Sequence, residues 1–330
     1  MIRSQNHSSY PRVADSPLDQ QLRTVLKAAE HGKATADEVR EIEDEVMNIA
    51  VAEQSRAFID IVTDGMVRWA GPHSHLARHL EGLETRGLRR WFDTNFYDRQ
   101  VAVVGQLSRP VPFLVHDFNV ADDVAQTPVK IVLPGPVSFA RMAHDEVYGS
   151  IDKLAEAVVA VMALEVTDLV AAGAVCFQLD EPLLCRHPED LDLVATTAGK
   201  LFEAAGGEAT TILSTYFGDL AGVADALDRL PGTHLGLDLV AGPANAGLLA
   251  QMPRGKGLAL GVFDARTTRQ EDAADVAAAL EPYKDSLIPR DVIVGPNAGL
   301  ELLPRDQAFD KLLHARYLVE KLSQEWTWPC

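Results

Sequence analysis

The sequence predicts an α/β fold of the (β/α)8 TIM barrel type, and three observations carry that expectation. Short runs rich in Val, Ile and Leu recur along the 330 residues, each followed by a stretch with helical spacing. Strand, helix, strand at this spacing means parallel pairing, because a parallel pair needs a crossover connection. The runs are nearly continuous in apolar residues, as strands covered on both faces require. An open doubly wound sheet is the alternative, but neither GxGxxG nor a Walker loop follows an early strand. The expected organisation is a single barrel domain over residues 1–330.

The elements follow in order. The start of the chain, leading into HSSYPR, supplies one strand. Ala34 to Gln54 reads as an extra helix, an N-terminal extension of the barrel. IDIVTDG (59–65) is the second strand. LRRWFDTNFYDRQVAVVGQL (88–107) reads as an inserted loop and hairpin between the second and third barrel strands. The remaining strands are VKIVLPGP (129–136), AVCFQLDEP (174–182), TTILSTYFG (210–218), HLGLDLV (234–240), GLALGVFDA (257–265) and DVIVGPN (291–297). Alanine-rich amphipathic segments at 150–173 and 190–207 are helices between them. The sequence has no short-period repeat, linker or low-complexity tract.

Composition excludes several classes. Asp and Glu number 48 against 30 Lys and Arg, a net charge of -18. No basic cluster stands out, so neither nucleic acid nor an anionic membrane is an expected partner. Cys176, Cys185 and Cys330 lack CxxC spacing, which argues for a reducing compartment. The polar N-terminus and the lack of a long apolar run point to a cytoplasmic protein. The C-terminal WTWPC is aromatic, suited to packing on the barrel or on a partner, including a second copy.

Barrel chemistry lies at the C-terminal strand ends. Those ends present Ser8, Ser9 and Arg12, then Thr63 and Asp64, the Gly135-Pro136 turn, Asp180 and Glu181, Ser214 and Tyr216, Asp238, Asp264 and Arg266, and Asn297. Polar groups converging on one mouth suggest a small polar substrate with an amine or other cationic group. Capping of the following helices is the competing role for each such residue. QLDEP, Gln178 to Pro182, is the sharpest stretch. Neighbouring strand side chains point opposite ways, so one of Asp180 and Glu181 faces the pocket. A partly buried carboxylate there binds an ammonium or acts as acid or base. The alternative is an ion pair with Arg12, Arg68 or Arg266. His73, His75 and His79 include the i, i+4 spacing that shares a metal, but no HExxH accompanies them, and a solvated helix face is expected. Gly135-Pro136 is a weak phosphate-cradle signal.

Motifs from end to end add a resemblance. SSYPRVADS, FIDIVTDG, RWFDTNFYDRQ, VKIVLPGPVSFA, VCFQLDEPLL, STYFGDL, LGLDLV, LALGVFDAR and PNAGLELLPRDQAFDKL together resemble the cobalamin-independent methionine synthase family. That family lies in the superfamily that includes uroporphyrinogen decarboxylase. The length fits one barrel. WFDTN, TYFG and DLV look like the non-catalytic N-terminal barrel of the two-barrel enzymes, while GLELLPRDQAFDKL looks like the single-barrel members.

The resemblance implies a one-carbon transferase that uses a methyl-tetrahydrofolate-type donor and a small amino-acid-like acceptor. In the family's catalytic barrel, zinc binds homocysteine as thiolate. Its ligands are a His and a Cys two apart after the fifth strand, a Glu at the sixth and a Cys at the eighth. Matched residue by residue, they fall on Ser214, Tyr216, Asp238 and Ala298, so zinc is not expected at the family position. Ser9 and Asp180 match residues that hold the amino acid's backbone groups. Met66 stands where a Glu is expected, and Met142 where an aromatic stacks near the folate. The expected catalytic residues are Asp180 and Glu181. The expected substrate-binding residues are Ser9, Arg12, Asp64, Ser214, Tyr216, Asp238, Arg266 and Asn297. A metal-free decarboxylase or lyase of the superfamily, or a non-catalytic folate-binding barrel, is the alternative.

Overall fold

The computed structural model describes residues 1–12, 17–92 and 97–328. Parts of SSYPRVADS and RWFDTNFYDRQ, and the last two residues of WTWPC, lie outside the described residues. In chain order the elements are β1 (Ile2–Ser4), α1 (Pro17–Glu30), α2 (Ala36–Arg56), α3 (Pro72–His79), β2 (Glu81–Arg89), β3 (Asp98–Ser108), α4 (Val115–Val124), β4 (Lys130–Pro134), α5 (Pro136–Met142) and β5 (His144–Asp145). Then come α6 (Ile151–Ala171), β6 (Cys176–Asp180), α7 (Leu191–Ala205), β7 (Thr210–Ser214), β8 (His234–Asp238), β9 (Gly257–Phe263), α8 (Ala273–Leu280), α9 (Lys284–Leu287), β10 (Val292–Pro296) and α10 (Arg305–Glu325). Short 3-10 segments, not α-helices, follow β7 and β8, at Ala221–Arg229 and Pro243–Gln251. Among the described residues no helix is long and apolar enough to cross a membrane.

The chain divides into two compact units. The first comprises Met1–Arg68, His116–Lys130 and Leu260–Cys330. Here β1 pairs parallel with β10, Ile2 opposite Val292 and Ser4 opposite Val294. The expected second strand, 59–65, is reduced to isolated parallel bridges, Gln5 to Ile61 and Val62 to Val129. Backbone bonds continue there, Ile61 N donating to Ser4 O at 3.1 Å and Asn6 N to Ile61 O at 3.1 Å, while the Asp60 carboxylate accepts from Ser4 N at 2.7 Å and Ser4 Oγ at 2.9 Å. The extension holds two helices, α1 in addition to the expected α2. A capping box starts α2: Glu38 N donates to Thr35 Oγ1 (3.2 Å), and Thr35 N donates to Glu38 Oε2 (2.7 Å). At the C-terminus Trp326 is buried, its indole donating to Glu281 at 2.8 Å, and Trp328 donates to Leu322 O at 3.1 Å. The described part of WTWPC therefore packs on its own unit.

The second unit comprises Trp69–Val115 and Ile131–Ala259. Its parallel strands run in the order β8, β7, β6, β4. Asp180 is level with Ser214, and Ser214 with Gly236, so β6 and β7 finish together while β8 runs two residues further, to Asp238. β4 and β8 are buried at every residue, as strands covered on both faces should be. The expected insertion is a bulged antiparallel hairpin, β2 with β3, which starts seven positions earlier than its apolar signal, at Glu81 rather than Leu88. Ser150 caps α6 by accepting from Lys153 N at 3.3 Å, and the apolar face of that helix buries Leu154, Val158, Met162 and Leu169.

Candidate active site

In the second unit the site grows from the ends of the neighbouring strands β6, β7 and β8. Asp180 and Glu181 diverge as neighbours leaving a strand must. The Asp180 carboxylate is half-buried. Its Oδ1 accepts from Gln178 Nε2 at 2.8 Å and its Oδ2 from Tyr216 Oη at 3.3 Å. Gln178 precedes it by two, on the same face of β6.

Glu181 is fully buried and turned the other way. Its Oε1 accepts from Val137 N at 2.9 Å and its Oε2 from Ser138 N at 2.7 Å, the first amides of α5. Burial pushes its carboxyl up to about 7, against the opposing pull of those hydrogen bonds. This corrects the phosphate-cradle signal at Gly135-Pro136, because Glu181 already takes the α5 amides that an anion would need. A Cβ on Gly135 would collide with the Glu181 side chain. Gly135→Ala is expected to cost about 2–3 kcal/mol by overpacking. Shortening Glu181 in the same chain should recover part of that loss. Urea unfolding of the single and double variants checks this, and a neutral Gly135→Ala would refute it.

Asp238 is buried and holds backbone. Its Oδ1 accepts from Val240 N at 2.9 Å and Ala241 N at 2.8 Å, and its Oδ2 from Phe217 N at 3.0 Å. Phe217 has φ of 60°, a left-handed conformation that costs a bulky residue roughly 1–3 kcal/mol. The Asp238 bond pins that residue, and its ring meets Tyr216 edge-on at 4.9 Å and Phe92 at 5.1 Å. Arg186 lies 5.2 Å from the Phe92 ring and donates to Trp91 O at 3.2 Å. No local sequence pattern links Trp91 and Phe92 to this strand end. Burial pushes the Cys185 thiol up to about 12, so it stays protonated at neutral pH.

The other expected residues lie in the first unit. Arg12 donates to Val67 O at 3.2 Å. Asp64 is buried, accepts from Met66 N at 2.9 Å, and is pushed up to about 6, chiefly by desolvation. Arg266 is 3.9 Å from Asp264, a loose pair. Asn297 accepts from Ala265 N at 2.9 Å. Ser9 donates to Glu301. Arg68 does not serve a strand end; it pairs with Glu43, Asp44 and Asp117.

The α3 histidines do not form a solvated face, which corrects that expectation. His75 is buried and stacked on Trp69 at 4.1 Å, and His79 is stacked on Phe113 at 4.9 Å. Burial lowers His73 to about 4, so its ring is neutral. Among the described residues no three His, Cys, Asp or Glu side chains converge as a metal-binding group. Ser214, Tyr216, Asp238 and Ala298 offer a hydroxyl, a phenol, a carboxylate engaged by three amides, and a methyl group. Those residues do not fit zinc, which takes Cys, His and carboxylate donors.

Comparison with known proteins decides the family. The model of the cobalamin-independent synthase N-terminal domain matches residues 73–287. The chain belongs to the cobalamin-independent synthase family. Its relatives include methionine synthases of Sulfurisphaera tokodaii, 29% identical over 92% of this chain and 88% of that protein, and of Saccharolobus solfataricus, 26% identical over 91% and 90%. A B12-independent methionine synthase from Shewanella sp. W3-18-1, solved with selenomethionine, superposes with a TM-score of 0.83 at 21% identity, covering 98% of each chain. A methyltransferase from Methanosarcina mazei gives 0.61 at 11% identity, covering 98% and 95%. These likenesses show the fold, the (β/α)8 barrel that the sequence predicts, here as a cobalamin-independent synthase barrel with a helical extension and an inserted hairpin. Membership makes this synthase homologue an enzyme of the methyltransferase class, as the motifs imply.

Proposed function

We propose that this chain, as one barrel domain, moves a methyl group from a methyl-tetrahydrofolate-type donor to a small acceptor without zinc at the family position. The observation that carries the reading is Tyr216. It stands at a position where a ligating Cys is expected, and its hydroxyl reaches Asp180 Oδ2 at 3.3 Å. A phenol hydrogen-bonded to a carboxylate belongs to proton handling, not to a metal shell.

In the proposed step the acceptor's nucleophilic atom forms a bond to the methyl carbon as the donor's N–CH3 bond breaks. The electron pair of that bond stays on the donor nitrogen, which takes up a proton. The acceptor's own proton passes to Asp180, oriented by Gln178 and Tyr216. Glu181 keeps β6 and α5 in place and is a positioning residue. Asp238 sets the Phe217 turn, and Ser214 finishes the same strand. In the first unit, Asp64 and Asn297 hold their own turns, accepting from Met66 N and Ala265 N. Without a metal, a thiol acceptor of pKa near 8.5 is only a few per cent thiolate at neutral pH, so an amine or an assisted thiol suits the site.

The test uses protein freed of metal by a chelator, methyl-labelled tetrahydrofolate and a panel of amine and thiol acceptors. Transfer should survive chelation and gain nothing from added zinc. Transfer that appears only when zinc is restored would overturn the metal-free reading.

A further inference from the structure

Two motifs far apart in the sequence meet beside Asp180. RWFDTNFYDRQ supplies Phe92 from the connection after β2, and STYFGDL supplies Tyr216 and Phe217 from the turn after β7. The proposed chemistry gives the rings of Phe92 and Phe217 no work. Yet those rings extend a continuous strip within the second unit. Tyr216 Oη donates to Asp180 Oδ2 at 3.3 Å, and the Tyr216 ring meets Phe217 edge-on at 4.9 Å. Phe217 meets Phe92 at 5.1 Å, and the Arg186 guanidinium lies 5.2 Å from the Phe92 ring.

The strip is built to be seen. All three aromatic side chains are half-exposed, and Arg186 is exposed. Phe217 keeps its place in a left-handed conformation, φ 60°, against the strain a bulky residue meets there, and Asp238 Oδ2 holds it by accepting from its N at 3.0 Å. A turn that only reversed the chain would carry glycine at that position. Arg186 donates to Trp91 O at 3.2 Å, and among the described residues no carboxylate pairs with it. The groups also have an order: a proton acceptor at one end, aromatic rings in the middle, and a guanidinium with donors to spare at the other. A planar ring bearing a carboxylate satisfies the rings and the cation together. Met142, where an aromatic would otherwise stack near a folate, is buried and has no ring to offer.

We propose that Phe217, Phe92 and Arg186 form a binding platform for an aromatic carboxylate of the aminobenzoyl-glutamate class, its ring against the two phenyl rings and a carboxylate on the guanidinium. Identifying that ligand as part of the methyl donor rests on the function proposed above; binding of the aromatic anion does not.

The probe is p-aminobenzoylglutamate, which has no methyl group to transfer. Glutamate supplies its charge without the ring, and benzamide a ring without the charge. Binding to the full chain is read by calorimetry, and methyl transfer is read separately. Wild type should bind the probe about tenfold more tightly than either comparator. Phe92→Leu and Arg186→Gln should each weaken the probe about tenfold. Both side chains reach solvent, so both variants should melt with the wild type. In transfer assays the same variants should raise the donor KM about tenfold and leave kcat within about twofold. A probe bound no more tightly than glutamate or benzamide, an affinity that neither variant moves, or no binding at millimolar concentration would each overturn the platform. Methyl transfer with a donor KM that neither variant moves would overturn it as the donor's site and leave the proposed function standing. Probe binding that falls as expected in both variants, with no methyl transfer to any acceptor, would sink the proposed function and leave the platform standing.

Discussion

Asp180→Asn should lower methyl transfer on the order of 10³-fold and leave melting nearly unchanged. The carboxylate is the proton acceptor in the proposed step, and an amide cannot take a proton from a neutral or cationic acceptor. Stability is expected to change little because Asn keeps the shape. Its oxygen still accepts one hydrogen bond, and Gln178 can turn its own amide to match its new neighbour. A loss of about 1 kcal/mol is the upper end for one altered, half-buried bond. Tyr216→Phe separates positioning from proton transfer. The 3.3 Å contact is long for an O–H···O bond, so its removal should cost only about tenfold, mainly in kcat. Stopped-flow or endpoint transfer assays beside a melting curve read both effects. If Asp180→Asn melts far below wild type, the residue is part of the framework. If it turns over normally, the proton goes elsewhere.

Most of the architecture is legible in sequence because burial on both faces leaves a strong mark. β6 to β10 each sit inside an apolar run, and α6 and α7 fill the alanine-rich stretches between. Legibility is weaker at IDIVTDG, whose apolar run yields two isolated bridges, Gln5 to Ile61 and Val62 to Val129, in place of a continuous strand. α1 escapes because its apolar residues are spread thinly through a polar segment. The divergence of Asp180 and Glu181 follows from strand geometry alone, but their partners do not. Val137 and Ser138 come from α5, Tyr216 from the turn after β7, and no local pattern pairs them. The stacking of His75 on Trp69 is equally silent, since i, i+4 histidines read the same way whether they face solvent, metal or an aromatic ring. Glu301 is visible only as one acid in GLELLPRD until the fold brings Ser9 to it.

Arg68→Leu should destabilise the protein by about 3–5 kcal/mol, the usual cost of leaving buried charge without its partner. The guanidinium is 2.7 Å from Glu43 Oε2 and 2.7 Å from Asp117 Oδ1, and it also pairs with Asp44. One cation cannot neutralise three acids, with Asp64 adding its own field. Desolvation, opposed by Arg68 and reinforced by Asp64 and Glu43, pushes Asp117 up to about 8. Its Oδ2 is buried with no hydrogen-bond partner among the described residues, which makes it the natural seat for that proton.

The sign for pH follows. The folded state keeps a proton on Asp117 that the unfolded chain releases near pH 4, so the unfolded state binds fewer protons through the interval between. Stability contributed by this group is therefore present at low pH and is lost as pH rises toward about 8. Asp64, raised to about 6, and Glu181, raised to about 7, act in the same direction. Wild type should melt higher near about pH 6 than near about pH 9. Arg68→Leu should steepen that slope, because removing the cation raises the carboxyls further. Asp117→Asn should flatten it without matching the loss of Arg68→Leu, since it deletes a charge instead of stranding one. Melting curves at the two pH values for the three proteins test the argument. An Asp117→Asn variant as pH-sensitive as wild type would mean that the proton sits on another group, and a neutral Arg68→Leu would mean that the acids find solvent instead of each other.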